Sequence, residues 1–382
     1  MRIAIVGTGY VADYYLKTLP DHPRLQLVGV MDRDGPRAER FAGFHRLPTR
    51  YRNYEELLAD DRVECVVNLT NPHSHYTLTK AALEAGKHVY SEKPLAMEMA
   101  HAEELVALAE SRGLQLASAP CSLLGETAQT LWKALREERI GRVRLVYAEL
   151  DDGPIHLMKP ERWRSDSGNP WPARDEYEVG CTLAHAGYYI TWMVAFFGPA
   201  LRVTSFSTVL TPDKGVEVDR QTPDFSVACI EFASGTVARL THSIYAPYDH
   251  GLRLIGDRGV LSTKDCWLYN SPVYLGRRDA LGLKVEKNPV KAKWMGLGPE
   301  ALPLAPGPGQ SRGSRKANTM DVSRGIAEVA EAVHQGRPCR LSSRFALHVN
   351  EVTLAIQHPA EPGVPRTMKT TCGSIAPMPW AA

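Results

Sequence analysis

Apolar residues in the first third of the chain come in short unbroken runs, at 2–6, 25–31, 63–69, 87–90 and 114–117. A strand with one face in water alternates polar with apolar; unbroken runs belong to strands covered on both sides. The stretches between them, 10–19, 35–42, 53–59, 73–85 and 97–111, read as helices. Strands that alternate with helices pair in parallel through right-handed crossovers, which predicts a doubly wound sheet over residues 1–120.

The pattern then changes. A helix at 123–136 and the phrase Arg139-Ile-Gly-Arg lead to a strand at 143–150, a Trp-, Pro- and charge-rich loop at 156–177, and a strongly apolar helix from 181 to 197. Strand-like runs follow without helices between them, at 201–209, 224–232, 235–243, 251–256 and 259–263, and Ala-Ser-Gly separates two of them as a hairpin signal. Consecutive strands favour an antiparallel sheet, so residues 121–358 read as an α+β domain with a large open sheet. Within it, 270–318 reads as one long loop, helices resume at 319–335 and 343–357, and 359–382 is a proline-punctuated tail.

Composition narrows the field. A chain of 382 residues with 44% apolar content suits two domains, and a net charge of +2 gives no reason to expect nucleic acid or a membrane surface as partner. No apolar run approaches a bilayer span, and the start of the chain enters a strand directly, without signal-peptide architecture. Seven scattered cysteines without a CxxC pair read as reduced thiols, hence a cytoplasmic location.

Ligands of doubly wound sheets bind beyond the carboxyl ends of the strands, which singles out the loops 7–12, 32–34, 70–75, 92–94 and 119–123. The first carries Gly7-Thr8-Gly9-Tyr10-Val11-Ala12. Gly7 permits a tight turn, Gly9 lets backbone approach a pyrophosphate, Ala12 allows close helix–strand packing, and the following helix start faces the phosphates. Asp32 ends the next strand, twenty residues after Ala12, where an acid accepts hydrogen bonds from a ribose. The expectation is a dinucleotide site preferring NAD; Arg33 beside Asp32 keeps NADP open. Lys93 follows a buried strand at the same sheet edge, where an ammonium can stabilise an alkoxide. Pro94 after it is a candidate for a cis bond.

With Asn71-Pro72, His75 and the segment Glu92-Lys93-Pro94 in order after GTGYVA, and GRPCRLSSRFALHVNEVTLAI late in the chain, the sequence resembles the glucose–fructose oxidoreductase, inositol dehydrogenase and rhizopine-catabolism (Gfo/Idh/MocA) family over residues 1–358. The resemblance implies a Rossmann domain joined to a domain whose open sheet pairs subunits into a homodimer or homotetramer. It implies hydride transfer between nicotinamide and a hydroxyl-bearing carbon of a sugar, glycoside or cyclitol. Cofactor contacts are then expected from Thr70, Asn71, Pro72, His75, Glu92, Lys93 and Pro94.

Many relatives carry Asp-x-x-x-His at the start of the long helix of the second domain; this chain departs from that with Gly180-Cys-Thr-Leu-Ala-His185-Ala-Gly-Tyr188-Tyr189. Counting back from Gly198 puts Tyr188 at the histidine position, whereas anchoring on Gly187 puts Tyr189 there and His185 at the aspartate. His185, Tyr188 and Tyr189 are therefore the candidates for a proton carrier beside Lys93. Trp163, Arg164 and Trp171 are candidates for holding a sugar-like substrate together with Lys93 and His185. His73-x-His75 lacks further ligands at a diagnostic spacing, so no metal is expected. Two other functions fit the same motifs. One is an NAD-retaining enzyme that cleaves glycosides by transient oxidation, distinguished by release of a leaving group without accumulating NADH. The other is a non-catalytic dinucleotide sensor, which would not need Lys93.

Overall fold

The computed structural model describes residues 1–47, 49–277, 288, 290, 294, 298–308 and 320–382. Strands β1 (Arg2–Val6), β2 (Gln26–Met31), β3 (Cys65–Asn68), β4 (His88–Ser91) and β5 (Leu116–Ser118) form a parallel sheet in the order β2-β1-β3-β4-β5. Helices α1 (Ala12–Thr18), α2 (Gly35–His45), α3 (Tyr54–Ala59), α4 (Pro72–Glu84) and α5 (Met99–Ser111) connect them. The unbroken apolar runs have the predicted cause: every residue of β3 is buried, and so are the last four of β1. Helix starts are fixed locally. The Asp34 side chain accepts the Arg37 N–H ahead of α2, and that of Asn53 accepts the Glu56 N–H ahead of α3.

After α6 (Glu126–Arg136) the chain builds a nine-stranded sheet from β6 (Val143–Asp151), β7 (Ala200–Thr208), β8 (Phe225–Phe232), β9 (Val237–Ser243), β10 (Leu252–Gly256), β11 (Gly259–Thr263), β12 (Val273–Arg277), β13 (Glu300–Leu302) and β14 (Arg366–Thr367). Its order is β13-β12-β11-β10-β6-β9-β8-β7-β14, and every pair is antiparallel except β6 with β9. That parallel pair brings the carboxyl ends of two strands side by side, with Asp151 opposite Ser243. Buried positions alternate with half-buried and exposed ones along β8 and β9, so one face of the sheet packs on the core and the other is left open by the described residues.

Two expectations need correction. The stretch 270–318 is not one loop, because β12 and β13 extend the sheet there; the parts at 278–287, 289, 291–293, 295–297 and 309–318 lie outside the described residues. The tail is docked as well, since β14 pairs with β7. Helix α7 (Ala173–Val179) packs on the segment before α8 (Gly187–Phe197), and α8 reaches the inner face of the large sheet, with the Phe197 ring against Phe232 of β8. Of the last two, α9 (Arg324–Gln335) packs against β4 and β5 of the first domain, and α10 (Ser343–Gln357) bridges the two domains, against α5 on one side and β7 on the other.

Candidate active site

The turn after β1 is built as its sequence requires. Gly7 has φ +91°, and a Cβ there would come within 2.7 Å of the Leu69 carbonyl, so no other residue fits. A Cβ on Gly9 would meet nothing within 4 Å: the space beside the turn is open, as backbone approach to a phosphate needs. Asp32 is buried, and its Oδ2 accepts the Thr8 N–H (2.8 Å) and hydroxyl (3.0 Å) while Oδ1 accepts the Asp34 N–H (2.9 Å). Its carboxylate thus holds the turn as well as ending β2. Arg33 is exposed, and Arg37 Nη1 lies 3.9 Å from Asp32. Tyr10 and Val11 are half-buried and Ala12 is buried.

Sequence reasoning missed one partner of this turn. Asn169, from the loop of the second domain, is buried and donates to the Thr8 carbonyl at 2.9 Å, and the neighbouring Ser167 hydroxyl donates to Asp13 at 2.7 Å. Nothing in the polar loop sequence distinguishes these two residues from their neighbours.

The loops after β3 and β4 are locked to each other. Thr70 donates its hydroxyl to Asn68 (2.7 Å), Asn71 accepts the Ser74 hydroxyl (2.8 Å), and Pro72 opens α4. His75 is wholly buried, with Nδ1 2.8 Å from the Pro94 carbonyl and Nε2 3.0 Å from that of Thr70, and burial lowers its pKa. It is a brace between the two loops rather than an exposed contact. Glu92 is similarly engaged, accepting the Tyr15 hydroxyl (2.7 Å) and the Lys93 N–H (3.0 Å). The Lys93–Pro94 bond is cis. Lys93 itself is half-buried, and its ammonium has no hydrogen-bond or ion-pair partner among the described residues. It lines one small cavity together with Leu183 and Gly187 of the second domain.

The long helix begins with a π-helical segment, Thr182–Ala186, before α8. A π-turn carries one extra residue, and the two anchorings of the sequence, on Gly187 and on Gly198, differ by one residue. His185 lies in this segment. Its Nδ1 is 2.9 Å from Asp152 Oδ2, though not aligned as a hydrogen bond, and its Nε2 is 3.5 Å from Glu176 Oε1. Burial works against its protonation, but the two carboxylates outweigh it and raise the His185 pKa; the Lys93 charge pushes the other way, which puts Lys93 within electrostatic reach. Asp152 follows β6 and also takes His250 Nε2 at 2.8 Å. Burial raises its carboxyl, yet the histidines hold it below the usual carboxylate range. His242, on the inner face of β9, is fully buried with neither ring nitrogen hydrogen-bonded, and burial pushes its pKa down to about 3.

The tyrosines differ. Tyr189 is fully buried and donates to the His250 carbonyl. Tyr188 is half-buried, its ring 5.9 Å from that of Trp267, and burial, with the Glu92 carboxylate adding to it, raises its pKa. Other candidates are not gathered here. Trp163 and Trp171 pack edge to face at 5.2 Å in a satellite apolar cluster with Tyr177 and Ile244, and exposed Arg164 donates to carbonyls of its own loop. His73 is exposed while His75 is buried, so the two are not a chelating pair. Asp152, Glu176 and His242 were not singled out in the sequence. The available signal was His242 itself, an imidazole in phase with the buried Ala238 and Leu240 of its strand.

The first of these domains carries a known signature. Residues 1–119 match the model described as an oxidoreductase family with an NAD-binding Rossmann fold. The protein is thus an enzyme of the NAD(P)-dependent dehydrogenase class that acts on CH–OH groups. Residues 128–262 match the GFO/IDH/MocA C-terminal domain, and the chain belongs to the GFO/IDH/MocA family. It is 25% identical to trans-1,2-dihydrobenzene-1,2-diol dehydrogenase of Bos taurus over 339 residues, 88% of this chain and 89% of that one. Two solved structures share the fold. One is a 3-ketoreductase from Actinomadura kijaniata, crystallised with NADP and TDP-benzene (TM-score 0.71, 22% identity, 93% of this chain and 96% of that one). The other is UDP-N-acetylglucosamine 3-dehydrogenase from Acidithiobacillus ferrooxidans (TM-score 0.67, 19% identity, 94% and 96%).

Proposed function

We propose that the enzyme transfers a hydride between the nicotinamide of NAD and a secondary hydroxyl on a ring: a sugar, glycoside or cyclitol. The observation that carries this reading is Lys93. It is a half-buried ammonium with no partner among the described residues, at the carboxyl edge of the dinucleotide-binding sheet and within electrostatic reach of His185. A cation left unpaired there is free to stabilise an alkoxide as it forms. The turn 7–12, Asp32 and the 70–75 loop would hold the dinucleotide, which supplies a hydride acceptor or donor when bound. His185 presents both ring nitrogens to carboxylates, so it acts by positioning and charge, and Tyr188, whose phenol stays protonated, is the candidate to relay the hydroxyl proton by passing its own on to solvent as it takes up the substrate's. The structural neighbour named for a sugar nucleotide, UDP-N-acetylglucosamine 3-dehydrogenase, lends support to a hydroxylated ring as substrate.

We further propose that subunits pair through the open face of the nine-stranded sheet and that the enzyme works in the cytoplasm; the seven free thiols favour a reducing compartment. The test is a panel of sugars, cyclitols, sugar nucleotides and cyclic diols, followed by absorbance of NADH, on the native enzyme and on Lys93→Met. The variant is expected to bind NADH normally and to lose roughly 10²-fold or more in kcat, the scale of an acid–base group. Near-normal turnover by Lys93→Met would remove the basis for this reading.

A further inference from the structure

The cluster around His185 has an imbalance that side chains alone leave unresolved. Asp152 Oδ2, Glu176 Oε1, His185 Nδ1 and both nitrogens of His242 are buried without a hydrogen-bond partner. Buried polar atoms are rarely left so; Asp152, His185 and His242 stand close enough to share one partner, while Glu176 faces the other nitrogen of the His185 ring. One ligand atom from each of Asp152, His185 and His242 lies within 4.8 Å of the others; ligands about 2.0–2.1 Å from a tetrahedral ion stand roughly 3.3–3.4 Å apart, so modest side-chain shifts would gather the three on one ion. An imidazolium at His185 would answer the carboxylates but would leave both nitrogens of His242 unpaired. A cation takes a lone pair from each imidazole and one from the Asp152 carboxylate, so of His242 only the N–H is left over, and Glu176 stays within reach of the second ring nitrogen of His185.

We propose that Asp152, His185 and His242 bind one first-row divalent cation of the zinc class, with Glu176 beside them. Two imidazoles and a carboxylate form a borderline donor set that suits zinc, cobalt or manganese better than magnesium, and three protein ligands leave a coordination position open. The sheet topology builds the site: β6 and β9 run parallel, so Asp152 and His242 meet at their carboxyl ends, and the π-segment delivers His185 from above. With the cation bound His185 is neutral and the positive charge is the metal's; on the reaction proposed above, a cation within electrostatic reach of Lys93 would polarise the substrate oxygen. Binding itself does not depend on that reaction.

The test uses tag-free, chelator-treated enzyme. Zn²⁺ uptake is measured by calorimetry, Co²⁺ binding by its visible ligand-field bands, and thermal midpoints with and without Zn²⁺, with Mg²⁺ as the comparison ion. The native protein is expected to take up one equivalent of Zn²⁺ or Co²⁺ and to gain on the order of 5 °C in midpoint at ~100-fold excess over Kd. His242→Leu is expected to lose more than the roughly 10²-fold in affinity that an outer-shell change costs, and to abolish the thermal shift. Asp152→Asn provides the same measurement should the first variant fold poorly, and NADH binding verifies the fold of both. No saturable uptake by the native protein, or equal uptake by native and variants, overturns the site. Hydride transfer by a protein that takes up no metal would overturn the cation and leave the proposed reaction standing; uptake without hydride transfer would support the cation and count against the reaction.

Discussion

Tyr188 and Tyr189 are neighbours on one helix with opposite surroundings, because successive helical residues point about 100° apart. Tyr189 is committed to a buried carbonyl, so Tyr189→Phe is expected to cost stability, about 1–2 kcal/mol for the unsatisfied acceptor, and to leave kcat near the native value. Tyr188→Phe should do the reverse, with an intact melting curve and kcat lower by roughly 10²-fold. Steady-state rates and thermal denaturation of the two variants decide between them; equal effects would mean that neither carries the proton. A second expectation at this scale concerns Asp32. Its buried carboxylate, pinned by Thr8 and the Asp34 N–H, cannot swing away from a ribose 2′-phosphate, so NADH should bind more tightly than NADPH. Fluorescence titration of both cofactors measures the difference, and a preference for NADPH would point instead to Arg33 or Arg37 as a phosphate ligand.

At the scale of elements, regular pattern decided what was legible. Five buried strands with helices between them announce themselves, and Gly7, Asp32 and Lys93 are readable because each lies beside its strand in the sequence. By contrast β13 and β14 span three and two residues, too few for a period of two to register. The pairing of β6 with β9 is a long-range choice with no local signal, and for that reason Asp152 and His242 were invisible as a pair. The docked tail has its own anchor. Buried Glu351 on α10 accepts the backbone N–H groups of Lys369 and Thr370, both at 2.8 Å, and the Thr370 hydroxyl at 2.6 Å. Burial raises its carboxyl, but these bonds outweigh it and hold the pKa below its ordinary value of 4.5. A depressed carboxylate contributes stability above that ordinary value and loses it as pH falls through the folded one. The tail should therefore loosen in acid. Glu351→Gln should loosen it already at neutral pH, at a cost of about 1–3 kcal/mol, and flatten the acid dependence. Limited proteolysis near Arg366 and Lys369 as a function of pH reads this directly; an unchanged cleavage profile would assign the tail's hold to β14 alone.

For the molecule as a whole, the outer face of the large sheet is the feature that the described residues leave uncovered. Leu145 and its strand partner Val237 are 38% and 37% exposed, with Phe206 at 45% on the same sheet, and Tyr147 lies beneath the guanidiniums of Arg239 and Arg253. The apolar side chains point away from the core, so charge placed on them has little effect on folding but a large one on a face-to-face contact that must exclude water. If two copies pair here, each presents the same face to the other about a two-fold axis, and a charge introduced once appears twice. The double variant Leu145→Asp, Val237→Asp is then expected to run at the mass of a single chain in light scattering, with NADH affinity retained because the dinucleotide site lies in the other domain. The native protein is expected at twice that mass or more. A native protein already at single-chain mass would remove the sheet face as an interface, and a variant that stays assembled would move the interface elsewhere on the molecule.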